Sequence, residues 1–449
     1  MGKENVVKFK KGKMTPRFGS EKNMKIIWVT NQPLIKVAKC LNLQYAHNES
    51  WLIQTSDYLQ NRHDIEFYLI SPMSEIENII EKQVDHIAFF GVPRRKAITE
   101  YDDALEKDVE RILRMIEPDV VHVWGTELPH SLSVIKAAEK VGIADRVVFS
   151  IQGLVSIYER HYTAYLPEKV VLSKTLKERL LFWKYKNISK DKKAFASRGV
   201  FEKETLRHAK HVIGRTDWDE ACAKMYNKEV KYHFCNETLR PIFYTETWQL
   251  NKCEKYRIFL SQCWYPIKGL HLMLEALPII LEQFPKTQAY VTGNYSFTSN
   301  RLKEECFSSY HKYLNRQVRN NHLEDHVHFL GHLDAGQMCE QYQKANVFVS
   351  ASSIENSPNS VGEAMILGTP TISSDVGGVK NMMEHNKEGF IYPADEPYML
   401  AYYIMKCFSS DELSMQLSAN ARIRAMKTHN PDENMKQLLN IYSLIGEGK

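Results

Sequence analysis

Two glutamates eight positions apart, Glu355 and Glu363, flank the polar turn Asn356-Ser357-Pro358-Asn359-Ser360. The apolar run VFVSA (347–351) precedes the turn and reads as a strand. The run VGEAMIL that follows reads as a helix, stopped by Gly368 and Pro370. The turn therefore leads into a helix N-terminus, where free N–H groups and the helix dipole favour an anion such as a diphosphate. Small side chains at Ser357 and Ser360 let phosphate oxygens approach the backbone. Across the turn, Glu355 can face a sugar, while Glu363 in the helix accepts hydrogen bonds from ribose hydroxyls. A plainer reading competes. Ser360-x-x-Glu363 also fits a capping box, in which Glu363 only satisfies helix N–H groups, and Glu355 is then an exposed loop acid.

Lys268 lies in the loop WYPIKG, between the strand-like RIFLSQC (257–263) and a helical pattern over 270–282. An ammonium at a strand's carboxyl end can sit against a diphosphate; a solvated surface lysine is the alternative. Three more polar residues follow strand-like runs in the N-terminal half. Glu127 and His130 lie in WGTELPH, and Gln152 follows VVFSI. Gln152 can donate a hydrogen bond but cannot act as a base. For Glu127 and His130 a satisfied structural pair and an acceptor contact both stay open. No H-x3-H or HExxH pattern occurs among the 17 histidines, and no DxD-like element has supporting context, so no metal site is expected.

These residues need a frame that holds them. Strand-length apolar runs recur from Met24: 25–29, 65–71, 86–91, 120–125, 147–153 and 211–215. Helix-length segments such as 104–116 and 131–141 separate most of them. A second series follows a polar stretch at 235–255: 257–263, 288–293, 327–331, 347–351, 370–374 and 389–392. Alternating strands and helices predict parallel sheets with both faces covered, which is why the strands are near-continuously apolar. The expected organisation is a leader (1–23), an N-terminal α/β domain (24–240), a C-terminal α/β domain (241–425), and a helix (426–449) packing back on the first domain. In doubly wound sheets ligands bind beyond the strands' carboxyl ends, and the cleft between two facing domains is the expected site.

The segment around Glu355 and Glu363, with the following EAMILGTP and TISSDVGG, resembles the E-x7-E signature of glycosyltransferase family 4, retaining enzymes of the GT-B fold. The likeness extends to SQCWYPIKGLHLMLEALPIILEQFP (261–285) and covers nearly all of 24–446. The pieces WVTNQPL, VVHVWGTELPHSL, SIQGLVSIYERHY and VIGRTDWDEAC are similar to a bacterial polysaccharide-biosynthesis branch. The resemblance implies two Rossmann-like doubly wound domains facing across a cleft. It implies a donor site of Lys268, Glu355, Asn356, Ser357, Asn359, Ser360, Val361 and Glu363, with Glu355 and Lys268 in the chemistry. Trp51, Glu127, His130 and Gln152 are the acceptor-side candidates. The sequence also departs from the family. Cys263 stands where relatives often carry Arg, so either Lys268 acts alone or a residue elsewhere compensates, Arg215 being the candidate. His47-Asn48-Glu49-Ser50-Trp51 lacks the usual Gly-Gly pair, and Gln152 stands where many relatives have His.

Composition agrees with an ordinary soluble globular protein. Apolar residues are 43% and charged residues 25%, enough for two cores without a membrane span. No apolar run follows the basic N-terminus, so no secretory signal is expected. The eight cysteines are scattered with no CxxC pair, which suits reduced thiols in the cytoplasm. Residues 1–23 carry a net +5, and the rest sums to zero. Residues 168–210 hold 13 Lys/Arg against five Asp/Glu. Leu172, Leu176, Leu180 and Trp183 recur there at helical spacing. Either this is a core helix with a solvated basic face, or it meets anionic lipid at the inner face of the membrane. No nucleic-acid module is present. The reading taken forward is a retaining glycosyltransferase of cell-surface polysaccharide or glycolipid biosynthesis. It would use a nucleoside-diphosphate sugar as co-substrate (UDP-sugar before GDP-sugar), a glycan or lipid-linked acceptor, and no bound cofactor. A nucleotide-sugar epimerase and a catalytically silent GT-B partner subunit are the alternatives.

Overall fold

The structure is a computed structural model that describes residues 23–43, 52–180, 187–262, 264–293, 295 and 297–447. The leader up to residue 22, the 44–51 stretch with Trp51, the 181–186 part of the basic belt, and Cys263 lie outside the described residues.

Eight strands build the N-terminal sheet: β1 (Met24–Val29), β2 (Ile65–Met73), β3 (Ile80–Val84), β4 (Ile87–Pro93), β5 (Val120–Trp124), β6 (Val147–Ser150), β7 (His211–Gly214) and β8 (Lys231–Phe234). Their order is β3-β4-β2-β1-β5-β6-β7-β8. All neighbours are parallel except β3, which runs antiparallel to β4. Six parallel strands build the C-terminal sheet: β9 (Arg257–Leu260), β10 (Gln288–Val291), β11 (Val327–Phe329), β12 (Val347–Ser350), β13 (Thr371–Ser374) and β14 (Phe390–Tyr392). Their order is β11-β10-β9-β12-β13-β14. Strands β5, β6, β7, β9, β12 and β13 are buried at every residue, because helices cover both faces of each sheet.

The strand order sets the crevices. In the first sheet the chain leaves β1 toward β2 on one side and returns with β5 on the other. In the second it leaves β9 toward β10 and returns with β12. Loops after β1 and β5, and after β9 and β12, therefore diverge over an open crevice at each switch point. Lys268 follows β9 and Glu355 follows β12, which places both at the second crevice.

The chain crosses back at His429 and Asn430, between the helices Asp411–Thr428 and Pro431–Gly446. A boundary at 425 would cut the first of these helices. Asn430 caps the second through Asp432 and Glu433 N–H, and Pro431 starts it without losing a needed donor. Met435, Leu438, Ile441, Tyr442 and Ile445 of this last helix join the N-terminal core with Ile26, Trp28 and Trp124. The Tyr442 hydroxyl accepts from Trp28 Nε1 at 2.9 Å and meets His122 Nδ1 at 2.6 Å. Burial lowers the His122 pKa to about 3, so the ring is neutral. Nδ1 then accepts from Tyr442, and Nε2 donates to Ser150 Oγ at 2.7 Å.

Candidate functional site

A cavity of about 680 Å³ lies between the domains. Lys268, Glu355, Asn356, Ser357, Asn359, Ser360 and Glu363 line its C-terminal side, and Gln152, Tyr158 and Arg215 line its N-terminal side. Its volume falls in the range of small-molecule sites.

Lys268 ends the short turn Pro266–Lys268, and Gly269 directs the chain into the helix Leu270–Gln283. Gly269 has φ +69°, and a Cβ there would stand 1.8 Å from the Ala351 carbonyl oxygen. Only glycine allows this loop to lie against the end of β12. Gly377, at φ +51°, is pressed in the same way against the carbonyl of Glu355. The two close approaches hold the loops together, so that Lys268 Nζ donates to Glu355 Oε1 at 2.5 Å. Ser352 Oγ donates to the same oxygen at 2.7 Å. Burial opposes the charge of Lys268, but the Glu355 carboxylate and the Tyr265 hydroxyl outweigh it and raise its pKa. With Tyr265 also bonded to Lys268, the ammonium keeps one further proton, and Glu355 a second oxygen, with which to meet a ligand.

The helix Asn359–Leu367 begins at the cavity with Pro358 at its N-cap, and no side chain caps it. The capping box is therefore not formed. Glu363 turns away from the helix N–H groups and takes Arg240 in a fork, with Nε at 2.7 Å and Nη2 at 2.8 Å. The Tyr342 hydroxyl, which donates to Ser360 O at 3.1 Å, lies 3.4 Å from Glu363 Oε2. Burial raises the Glu363 pKa, and Arg240 pulls against that rise. Oε2 accepts from Arg240 and Tyr342, while Oε1 accepts only from Arg240 and keeps a lone pair for another donor.

The remaining expected residues separate. Val361 is fully buried in the C-terminal core and its N–H goes to Pro358 O, so it does not line the cavity. Asn356 lines the cavity but ties the domains, accepting from Thr216 Oγ1 at 2.9 Å and donating to Ile151 O at 3.4 Å. Gln152 reaches the cavity and donates to Glu237 Oε1 at 2.6 Å. Arg215 is also there, held by Glu237 Oε2 at 2.7 Å. A second cation thus faces the cleft, already neutralised by a carboxylate. Glu127 and His130 are not among the lining residues. His130 is buried beside Arg94, Lys96 and Asp102 and stays neutral, its pKa lowered to about 3 by burial. Glu127 sits at the N-terminal crevice, where Asn31 Nδ2 donates to it at 2.7 Å. Glu237, Arg240, Tyr158 and Trp264 line the site or hold its residues without having been expected. Among the described residues no group of three His, Cys, Asp or Glu is placed to hold a metal ion.

Comparison with known proteins places this geometry. Residues 245–424 match the family described as glycosyl transferases group 1. Spore coat protein SA of Bacillus subtilis (strain 168) is 29% identical over 39% of this chain and 45% of its own length. The chain spans less than half the length of the first curated relatives it matches. Sucrose-phosphate synthase from Thermosynechococcus elongatus superposes with a TM-score of 0.64, at 15% identity, over 95% of this chain and 100% of that one. Anabaena HepE, crystallised with UDP-glucose, superposes with a TM-score of 0.62, at 16% identity, over 94% of this chain and 100% of that one. At that identity the structures establish the architecture, two α/β domains facing across a cleft in the GT-B fold. The matched stretch is the C-terminal domain that carries Lys268, Glu355 and Glu363, and there the chain is similar to glycosyl transferases group 1.

Proposed function

We propose that this chain is a retaining glycosyltransferase of the family 4 type. It moves a sugar from a nucleoside-diphosphate sugar, a UDP-sugar in the first place, to an acceptor hydroxyl. The observation that carries the reading is the Lys268–Glu355 pair facing an uncapped helix N-terminus at the switch point of the C-terminal sheet. The helix N-terminus at Asn359 and Ser360 takes the diphosphate, and Lys268 neutralises the charge that grows on it as the glycosidic bond breaks. Glu355 orients the sugar. The free lone pair of Glu363 Oε1 accepts from a ribose hydroxyl, and the loops at Thr292–Gly293 and Gly331–Leu333 bound the base end of the cavity. Among the described residues no N-terminal carboxylate lines this cavity, which supports attack by the acceptor on the face the leaving diphosphate vacates, keeping the anomeric configuration.

The reaction needs no bound metal or cofactor, because Lys268 and the helix dipole supply the positive charge at the leaving group. The acceptor is a glycan or a lipid-linked sugar of cell-surface polysaccharide or glycolipid assembly. No described helix is long and apolar enough to cross a membrane, and the enzyme works from the cytoplasmic side by peripheral contact. Calorimetry of the full chain is expected to show UDP binding that Glu363→Gln weakens about tenfold, the loss of one charge-assisted hydrogen bond. Incubation with a panel of nucleotide sugars is expected to release nucleoside diphosphate. No heat of binding for either UDP or GDP would overturn the reading.

A further inference from the structure

A second polar cluster lies at the switch point of the N-terminal sheet, outside the residues that line the donor cavity. Asn31 follows β1 and Glu127 follows β5, and the two side chains meet at 2.7 Å. That contact uses one atom of each. Asn31 Oδ1 and Glu127 Oε2 are buried with no hydrogen-bond partner among the described residues. Arg198, on the helix Ile188–His208, stands nearby with its guanidinium over the Phe195 ring, 4.4 Å from the centroid. Its Nε is also buried without a partner among the described residues. The carboxylate one turn further on does not serve it. Glu202 accepts from Val155 N–H at 3.1 Å, Ser156 N–H at 2.7 Å and Thr126 Oγ1 at 3.1 Å. Three buried atoms, two acceptors and one cationic donor, therefore have no hydrogen-bond partner among the described residues at one crevice. Buried polar atoms are completed by protein, by ordered water or by a ligand.

The cluster adjoins the donor site through Tyr265, whose hydroxyl interacts with Lys268 and lies within the field of Arg198. The two acceptor atoms call for O–H groups, and the guanidinium calls for an anionic oxygen. We propose that Asn31, Glu127 and Arg198 form the acceptor subsite, and that it selects a sugar hydroxyl lying beside an anionic group, a phosphate or a carboxylate. The assignment rests on the glycosyltransferase reading. Asn31 and Glu127 hold and orient the hydroxyls, and Arg198 fixes the acceptor by its charge.

Saturation-transfer NMR on the full chain with saturating UDP tests it, with methyl glucoside, glucose 1-phosphate and methyl glucuronide as probes. At least one anionic probe is expected to bind about tenfold more tightly than methyl glucoside, and which one does so separates phosphate from carboxylate. Arg198→Gln is expected to bring the three affinities together, and Glu127→Gln to weaken all three. If Arg198→Gln does not fold, Arg198→Lys decides, since it keeps a charge and loses Nε. The anionic preference must then fall while methyl glucoside binding persists. Equal binding of the three probes to the native chain, or a preference that survives the Arg198 substitutions, overturns the subsite while leaving UDP binding and the donor assignment standing. Absence of UDP binding removes both.

Discussion

At the scale of single residues, the proposed reaction gives the charge of Lys268 two tasks. Lys268 is paired with Glu355, 2.5 Å away, so the cation is held in place without being left unpaired in a buried site. In the intact donor the diphosphate charge is shared through its bond to the sugar. As that bond breaks, further negative charge collects on the terminal phosphate, and a fixed ammonium gains most of its interaction energy there. Only such differential binding raises the chemical rate. Arg215, paired with Glu237, is a further cation that lines the cavity. Lys268→Ala is therefore expected to lower kcat by roughly a hundredfold, on the order of 3 kcal/mol, with a smaller change in KM. Steady-state release of nucleoside diphosphate measures it. A raised KM with near-normal kcat would show that the lysine only holds the donor.

At the scale of elements, the strands that carry the site were the most legible part of the sequence. VFVSA, RIFLSQC and VVFSI are mostly apolar because helices cover both sheet faces, and Glu355, Lys268 and Gln152, which follow them, line the cavity. The two missed strands are sheet edges. IEKQV of β3 and KYHF of β8 keep exposed, polar positions, so no apolar run announces them. The partners of site residues were hidden by distance along the chain. Glu363 looked like half of a capping box because its true partner, Arg240, lies 123 positions away. The basic belt shows the same limit. Its leucine spacing implied one helix, but the chain forms a short helix at Glu168–Val171 and a new one from Leu176. Leu172, Leu176 and Leu180 do not pack on the core, being 71%, 56% and 64% exposed. Lys169, Lys174, Lys177 and Arg179 surround them in sequence. Exposed leucines among lysines suit insertion at an anionic membrane surface. Sedimentation with phosphatidylglycerol vesicles is expected to pellet the chain at low salt and less at 0.5 M, where charge attraction is screened. Replacing Leu172 and Leu180 by Ser is expected to cut binding about tenfold or more. Pelleting that ignores those substitutions would exclude leucine insertion.

At the scale of the whole molecule, the two domains are joined by more than their linker. The helix Pro431–Gly446 returns to the first sheet, and Asn356 bridges to Thr216 and Ile151. A third tie lies where the basic belt meets the C-terminal domain. Thr175 Oγ1 donates to Phe307 O at 3.1 Å, and Lys177 Nζ donates to Cys306 O at 3.1 Å. Glu178, only 2% exposed, accepts from Thr175 N–H at 2.9 Å with one oxygen and from Ser309 N–H at 2.8 Å with the other. Ser309 opens the helix Ser309–Asn320, so one carboxylate from the N-terminal domain supplies an acceptor to a helix start in the other. Domain pairs of this kind move relative to each other unless their interface holds them. Glu178 is one of the contacts that hold the two domains together on this side. Glu178→Ala leaves two backbone donors without their acceptor, a local cost of about 1–3 kcal/mol. The consequence should be regional. Amide hydrogen exchange is expected to quicken roughly tenfold or more in 173–180 and 306–312. The helix Asn359–Leu367, held by its own core, is expected to exchange as before. Saturating UDP, bound on the C-terminal side, should not restore protection at 173–180, because the lost acceptor lies outside the cavity it fills. Uniformly faster exchange across both domains would instead make Glu178 a determinant of global stability, and the role as a tie between domains would have to be given up.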